Sequence, residues 1–492
     1  MKLLKYIIPV FLGVFTFSSC DQSLEDINRD PNQASSANPS ATFTAAQGYY
    51  AIAVEAYYNE NDALFAQYVA GGPGVALIDE ERYFLLNQDF NNEWLFSYNQ
   101  GLSDLSFTIE NGNPALSAAA DILSVHIWQN LVDHFGNIPY SEALKGDFSK
   151  GGVITPTYDD AKTIYADLVA RIDASIESLT EIIAEADADV VIGDEDLIYG
   201  GDLEKWIRFA NSLKLRLLMR QSITDPSVGP AVIDLVSSGT FIEDETEMVV
   251  IPFGGATGQQ YNPMFARREA GVGQFYVASE STTDLLEELS DPRLEVFYDP
   301  AAATNTIVGL KQGNIENVVP SPARADYSFP SAVAYAEDND VILMSHWEVY
   351  FLRAEAAMRF GTTDNEKAMF DAAVMANFEY VGAEGASDYL ATSANYDPGA
   401  SSQAKSDMIG VQKWISMNGL QEFEGYIESR RFDTPATKVF SDPANGILVR
   451  PTRSTLGEGE HPTIRLYPQT EVSFNPNTPP GRTITDKVFW DN

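Results

Sequence analysis

One cysteine stands where its thiol could be acylated. Cys20 directly follows two small residues, Ser18 and Ser19, at the end of a segment in which Lys2 and Lys5 precede a short apolar run. An apolar run of this length is too short for a spanning helix and is typical of a cleaved signal peptide. We therefore predict cleavage before Cys20 and lipidation of its thiol, with acyl chains that hold the mature chain on a membrane.

The other ionisable side chains form no motif typical of catalysis or of a metal site. No two histidines have the spacing that would place them on one helix face as a zinc pair. The aspartates that follow residue 186 lack the glycine that a calcium loop needs at its turn, which favours a solvated loop. The residues in question are His126, His134, His346 and His461, and Asp187, Asp189, Asp194 and Asp196. We expect no metal, no cofactor and no catalytic residue.

Two groups of aromatic and amide side chains could bind a ligand without chemistry. Aromatic rings stack on the apolar C–H faces of sugars, and amides bond the sugar hydroxyls. The predicted contacts are Asn91, Trp94 and Tyr98 in the first group, and Tyr261, Gln274, Phe275 and Tyr276 in the second. Gly271 and Gly273 favour the second group, because glycines among polar residues indicate exposed loop backbone. The competing interpretation places these rings in the core.

Helical periodicity flanks both groups. Apolar residues recur with a period near 3.6 in several segments. The predicted helices span residues 42–58, 93–109, 116–132, 157–187, 203–221, 282–289, 341–360, 366–378, 404–417 and 421–431. Between about residues 240 and 340, frequent Gly, Pro and Asn predict long loops with short strands. We predict a mainly α fold, in which helix pairs form a helical-repeat scaffold with long loop-rich insertions, although no clean 34-residue repeat of the tetratricopeptide kind is present.

Composition supports a folded body and excludes one class of partner. With 492 residues, of which 45% are hydrophobic, the chain is long enough to bury a sizeable core. The 71 acidic residues outnumber the 31 basic ones and give a net charge of −40, which argues against binding to nucleic acid. We divide the chain into a signal peptide at 1–19, an acylated tether at 20–40 and one ligand-binding domain at 41–492.

Several blocks of this sequence, taken in order, resemble the SusD/RagB family of outer-membrane lipoproteins and its SusD-like subgroup in particular. They include LSVHIWQNLVDHFGNIPYSEAL at 123–144, MSHWEVYFLRAEAAMRFG at 344–361 and FEGYIESRRFDTP at 423–435. Further blocks lie at 197–220, 291–294 and 465–475. The blocks span nearly the whole chain, and the acidic stretch after Cys20 resembles the surface-export signal of Bacteroidetes lipoproteins.

The resemblance implies a single helical domain with tetratricopeptide-like helix pairs and a loop-rich ligand face. Family members cap a SusC-type TonB-dependent transporter in the outer membrane and hand it a glycan or another nutrient, without chemistry. Within the matching blocks, the resemblance and amphipathic spacing indicate structural roles for Trp206, Asn211, Arg216, Glu355 and Arg431. We therefore expect a surface-exposed, lipid-anchored protein that binds oligosaccharide. The alternatives are a lipid-anchored glycosidase and a peptide-binding or docking subunit. A glycosidase needs two carboxylates that converge in space, and the sequence does not reject such a pair among so many acidic residues.

Overall fold

Side-chain caps and left-handed glycines set the ends of the long helices. The side chains of Asn113 and Asp202 each accept a hydrogen bond from a backbone N–H in the first turn of the helix that follows. Gly361 and Gly382 adopt the left-handed conformation directly after the last helical residue, where a side chain would be strained. These signals explain why the predicted helix 203–221 coincides with the observed one.

The structure is a computed structural model that describes residues 37–491, apart from 74–78, 186–189, 256–259, 270–275 and 314–322. The chain divides into two compact units, Met1–Asn38 and Pro39–Asn492. Every helix and strand described below belongs to the second unit. Cys20, the predicted lipidation site, lies outside the described residues.

Helices account for most of the regular structure of the second unit, as the sequence predicted. Before residue 250 they are α1 Pro39–Ala53, α2 Asn59–Phe65, α3 Asn91–Trp94, α4 Ser103–Asn111, α5 Pro114–Phe135, α6 Ala161–Glu185, α7 Leu203–Gln221 and α8 Gly229–Ser238. After it they are α9 Pro263–Glu269, α10 Glu280–Glu288, α11 Leu294–Phe297, α12 Ala332–Tyr335, α13 His346–Phe360, α14 Glu366–Val381, α15 Ala386–Ala391, α16 Ser402–Met417, α17 Glu422–Phe432 and α18 Gln469–Phe474. Consecutive helices pack as pairs, notably α5 with α6, α13 with α14 and α16 with α17.

The strands are short and pair antiparallel in four two-stranded sheets among the described residues. They are β1 Val69–Gly71, β2 Ile138–Pro139, β3 Tyr158–Asp159, β4 Val249–Ile251, β5 Tyr276–Ala278, β6 Tyr298–Asp299, β7 Phe329–Pro330 and β8 Val341–Met344. The pairs are β1 with β5, β2 with β3, β4 with β8 and β6 with β7. The loop-rich middle of the chain therefore contains the short strands that its composition predicted.

The prediction of one helix over residues 341–360 was wrong in its first turn. Residues Val341–Met344 form β8, which is fully buried and pairs with β4. A continuous apolar run of four residues fits a buried strand as well as a helix, so periodicity does not separate the two. The helix begins only after Ser345, whose hydroxyl accepts a hydrogen bond from the backbone N–H of Glu348.

The acidic loop before α7 is not uniformly solvated. Asp196 is buried, and its carboxylate accepts hydrogen bonds from the indole N–H of Trp206 and from three backbone N–H groups. The expectation of a solvated loop was therefore wrong for Asp196, while Asp187 and Asp189 lie outside the described residues. Trp206 is completely buried, in agreement with its predicted structural role.

A cluster of buried ion pairs lies among α5, α7, α13, α16 and α17, and we call it the core ion cluster. Within it, Arg431 makes the most side-chain hydrogen bonds and contacts the carboxylates of Glu355 and Glu428 at 2.6 and 2.7 Å. Arg220 contacts three carboxylates. The remaining members are Asp133, Arg216, Arg220, Glu348, Lys413 and Glu424. The structural roles predicted for Arg216, Glu355 and Arg431 are confirmed.

The core ion cluster predicts an acid-dependent stability. Burial alone would raise the pKa of Glu428, but Arg431, Lys413 and Arg220 together hold it below its ordinary value of 4.5. A carboxyl group whose pKa is lowered by folding stabilises the protein above its unfolded pKa, and this contribution is lost as the pH falls toward the folded pKa. The difference in unfolding free energy between wild type and Glu428→Gln should therefore be largest near neutral pH and shrink below about pH 4.5.

Urea denaturation of both proteins at several pH values measures this difference. Burial raises the pKa values of Asp133 and Glu348. Their contributions to the free energy of unfolding therefore decrease as the pH rises, opposite to that of Glu428. Comparing the two proteins at each pH largely cancels those contributions, because both proteins contain the same two groups. A difference that stayed constant from pH 7 to pH 3 would contradict the role assigned to Glu428.

Candidate ligand-binding site

Two π-helical segments interrupt the helices near the N-terminus of the second unit. Val54–Tyr58, here π1, joins α1 to α2, and Leu95–Leu102, here π2, joins α3 to α4. The α1 helix packs along π2, so the two interrupted helices lie side by side. A π turn holds one more residue than an α turn, and such turns are frequent at functional sites because they change the direction of side chains.

Three aromatic rings form a line across these segments. Tyr49 is 38% exposed, and its ring centroid lies 6.4 Å from that of Phe96. The ring of Tyr57 lies 5.2 Å from that of Phe96, so Phe96 contacts both tyrosines. Phe96 and Tyr57 are both partly exposed, and Phe96 also packs against the hydrophobic core. The rings therefore leave part of their apolar surface open to solvent.

A polar group continues this line. The guanidinium of Arg267 on α9 lies 5.4 Å from the ring centre of Tyr57 and contacts the carboxylate of Glu60 at 2.5 Å. The same carboxylate accepts a hydrogen bond of 3.0 Å from the hydroxyl of Tyr276. Burial raises the pKa of Glu60, and Arg267 and the Tyr276 hydroxyl oppose that rise. We call Tyr49, Phe96, Tyr57, Arg267, Glu60 and Tyr276 the aromatic row.

The first group of predicted contacts lies beside a groove. Trp94 and Tyr98 stack with centroids 4.6 Å apart and line a groove of about 530 Å³. However, Trp94 is only 7% exposed and packs edge-on against Phe135. The hydroxyl of Tyr98 donates a hydrogen bond to the carbonyl of Pro139, and Asn91 is partly buried. Their roles as ligand contacts stay predictions.

The structure separates the members of the second group. The sequence predicted an exposed loop at Tyr276, but the structure places this residue in β5. There it is 7% exposed and lies opposite Gly71. Tyr261 is partly exposed next to Phe265, two residues before α9 begins. Gln274 and Phe275 lie outside the described residues. Thus Tyr276 belongs to the aromatic row, Tyr261 lies near its α9 residue Arg267, and all four remain predicted contacts.

Sequence reasoning missed most of the aromatic row, although one signal was present. Tyrosine doublets occur at Tyr49–Tyr50 and Tyr57–Tyr58. In each doublet the second tyrosine is completely buried and the first reaches the surface. Adjacent helical residues point in different directions, so a doublet of large rings in a buried helix leaves one ring facing outward.

Two further kinds of arrangement are relevant to the described residues, a cluster of metal ligands and a membrane-spanning helix. Within them, no three His, Cys, Asp or Glu side chains come together as ligands for a metal ion. The imidazole of His134, for example, contacts the carboxylate of Asp62 at 2.9 Å inside the core. Also among these residues, no helix has the length and apolar character needed for a transmembrane span.

Solved structures share this fold along nearly their whole length. A chitin-binding SusD homolog from Flavobacterium johnsoniae superposes with a TM-score of 0.74 at 21% identity, covering 91% of this chain and 98% of the other. A SusD homolog from Bacteroides uniformis gives 0.74 at 23% identity, covering 92% and 99%. A SusD homolog from Bacteroides vulgatus gives 0.76 at 21% identity, covering 92% and 97%.

Comparison with curated protein sequences gives no match. A family model does match residues 31–455, which is most of the chain. That family is SusD-like, and its description is starch-binding associating with outer membrane. The match covers both π-helical segments and the core ion cluster. On this sequence match and the shared helical fold, the chain belongs to the SusD-like family.

Proposed function

We propose that this protein binds a glycan along the aromatic row. The observation that carries the proposal is the line of Tyr49, Phe96 and Tyr57, whose rings face solvent and lead to the Arg267–Glu60 pair. Successive sugar rings can stack on such a line while the charged pair bonds hydroxyls. The starch-binding description of the family and the chitin-binding relative support a glycan as the ligand.

The protein acts at the outer membrane as a capturing lipoprotein and not as an enzyme. Acyl chains on Cys20 hold it there, on the outer surface, and it delivers oligosaccharide to a SusC-type TonB-dependent transporter. Support for this placement comes from the family description and from the leader sequence. The groove beside Trp94 and Tyr98 is a second place where the same chain of sugars can make contact.

Tyr57→Ala is expected to weaken oligosaccharide binding about tenfold, because it removes the central stacking surface between Phe96 and Arg267. Tyr49→Ala should have a similar or smaller effect, since Tyr49 lies at the end of the line. Isothermal titration calorimetry with chito- and malto-oligosaccharides on the purified protein measures both changes. Phe474→Ala is the matched control, because Phe474 is 80% exposed and lies outside the row.

Three results would each count against this proposal. Unchanged affinity in Tyr57→Ala would remove the aromatic row as the binding face. Release of reducing sugar by the purified protein, abolished by a single Asp or Glu substitution, would favour the glycosidase. Saturable binding of peptides without any glycan affinity would favour the docking subunit. Trp94→Ala and Tyr276→Ala are poor tests, because both side chains are buried and their loss also affects stability.

A further inference from the structure

A cavity of about 390 Å³ lies beside the C-terminal end of α17 and shares no residue with the aromatic row. Its apolar wall includes Phe65, Tyr426 and Phe440. These side chains are almost completely buried, so the wall is fixed by the core behind it. A volume of this size is at the lower end of the range for small-molecule sites.

His461 gives the cavity a hydrogen-bond donor of known orientation. Gln67 donates a hydrogen bond of 3.2 Å to the hydroxyl oxygen of Tyr83, and that hydroxyl lies 3.1 Å from Nδ1 of His461. The Tyr83 hydroxyl therefore donates its hydrogen bond to Nδ1, and the hydrogen of the neutral imidazole is assigned to Nε2. Burial lowers the pKa of His461 to about 4, so the ring is neutral at ordinary pH. Among the described residues, Nε2 has no hydrogen-bond partner.

Asp433 and Ser441 supply the complementary groups. Oδ1 of Asp433 accepts hydrogen bonds from the backbone N–H groups of Phe440 and Ser441, which fixes the carboxylate. Its second oxygen and the hydroxyl of Ser441 make no hydrogen bond to any described residue, and both residues line the cavity. The wall thus has an acceptor, a donor and a hydroxyl that a ligand can use.

The charge of the wall selects the class of ligand. Its cationic side chains are Arg430, Lys438 and Lys487, and its acidic ones are Asp433, Glu460 and Asp491. With His461 neutral, these formal charges cancel, although the whole chain has a net charge of −40. Asp491 further compensates Arg430 at 3.4 Å. A balanced wall favours a neutral ligand, because an ion would be left without a counter-charge on burial.

We infer that this cavity is a second glycan site, which takes a single neutral sugar unit. A pyranose ring has apolar faces for the aromatic wall and neighbouring hydroxyls that can donate to Asp433 and accept from His461. The aromatic row is open and suits several units, whereas this cavity, of about 390 Å³, suits one. The inference rests on the proposed function in its choice of a sugar. The unit is either a free monosaccharide or the end of an oligosaccharide.

Ligand-observed NMR titration of the full-length protein in detergent, with N-acetylglucosamine, glucose and galactose, tests the cavity. We expect saturable binding of at least one sugar, weakened about tenfold by Asp433→Asn, since a hydrogen bond to a charged group is lost. Asp433→Asn keeps Oδ1 as the acceptor for the two backbone N–H groups. Ser441→Ala, a smaller change, should weaken binding several-fold without affecting the fold.

Tyr57→Ala separates this inference from the proposed function. It should leave unchanged the part of monosaccharide binding that Asp433→Asn removes, because Tyr57 is not part of the cavity. A chain end is the ligand if oligosaccharide binding persists in Tyr57→Ala and is lost when Asp433→Asn is added. The free sugar is the ligand if the cavity binds monosaccharide alone. The inference would be overturned if the wild type bound no monosaccharide and Tyr57→Ala bound no oligosaccharide. It would also be overturned if neither Asp433→Asn nor Ser441→Ala weakened the observed binding. Both results would count even if the aromatic row binds glycan.

Discussion

Arg431→Met is expected to lower the free energy of unfolding by about 3–5 kcal/mol. The guanidinium of Arg431 is completely buried and contacts two carboxylates, those of Glu355 and Glu428. It also donates a hydrogen bond to the backbone carbonyl of Met219. Methionine is shorter but keeps the packing of the aliphatic stem, so most of the cost arises from the carboxylates that lose their partner. Urea denaturation at neutral pH measures the change.

An exposed ion pair provides the control for Arg431→Met. Lys162 contacts Asp225 at 2.7 Å, but its side chain is 58% exposed. Lys162→Met should therefore change the unfolding free energy by less than about 1 kcal/mol, because water screens the pair. Equal effects of the two substitutions would show that the core ion cluster contributes no more than a surface contact. That outcome would contradict the central role assigned to Arg431.

Cys20→Ala is expected to abolish acylation and remove the protein from the outer membrane. The thiol is the proposed acceptor of the acyl chains, and alanine offers no nucleophile in its place. Incorporation of labelled fatty acid, together with fractionation of inner and outer membranes, measures both effects. Without the cysteine the signal peptide is not cleaved, so the variant should be found in the inner-membrane fraction.

Ser19→Ala is the matched control for the cysteine substitution. It changes the neighbouring position but keeps a small side chain before the cleavage site. Labelling and outer-membrane location should both match wild type. Persistence of the acyl label in Cys20→Ala, or an unchanged outer-membrane location, would refute Cys20 as the anchor.

The sequence predicted helices well where a cap and a period coincide. The helix 203–221 begins after Asp202 and carries a clear apolar stripe, and its predicted bounds match α7. Prediction failed where the apolar residues were continuous, as in Val341–Met344, because burial on all sides removes the period. It also missed α8, Gly229–Ser238, whose start has Gly229 and Pro230 in place of a side-chain cap.

The candidate site was harder to predict than the fold, because residue type does not reveal which side of a helix faces solvent. Trp94 and Tyr276 were chosen as large polar-edged aromatics, yet both are 7% exposed. Tyr57 lies within π1 and Phe96 within π2, where a period of 3.6 does not describe the direction of the side chains. The contact between Arg267 and Glu60 joins residues 207 positions apart, which no local pattern shows.

The π-helical segments tie the ligand face to the number of residues in a helix. A π turn holds one more residue than an α turn, so deleting one residue from Val54–Tyr58 would return the segment to α geometry and leave α1 and α2 nearly in phase. The side chains within the turn, Tyr57 among them, would be redirected while the flanking helices kept their packing. Loss of one codon would thus alter the ligand face and leave the scaffold in place.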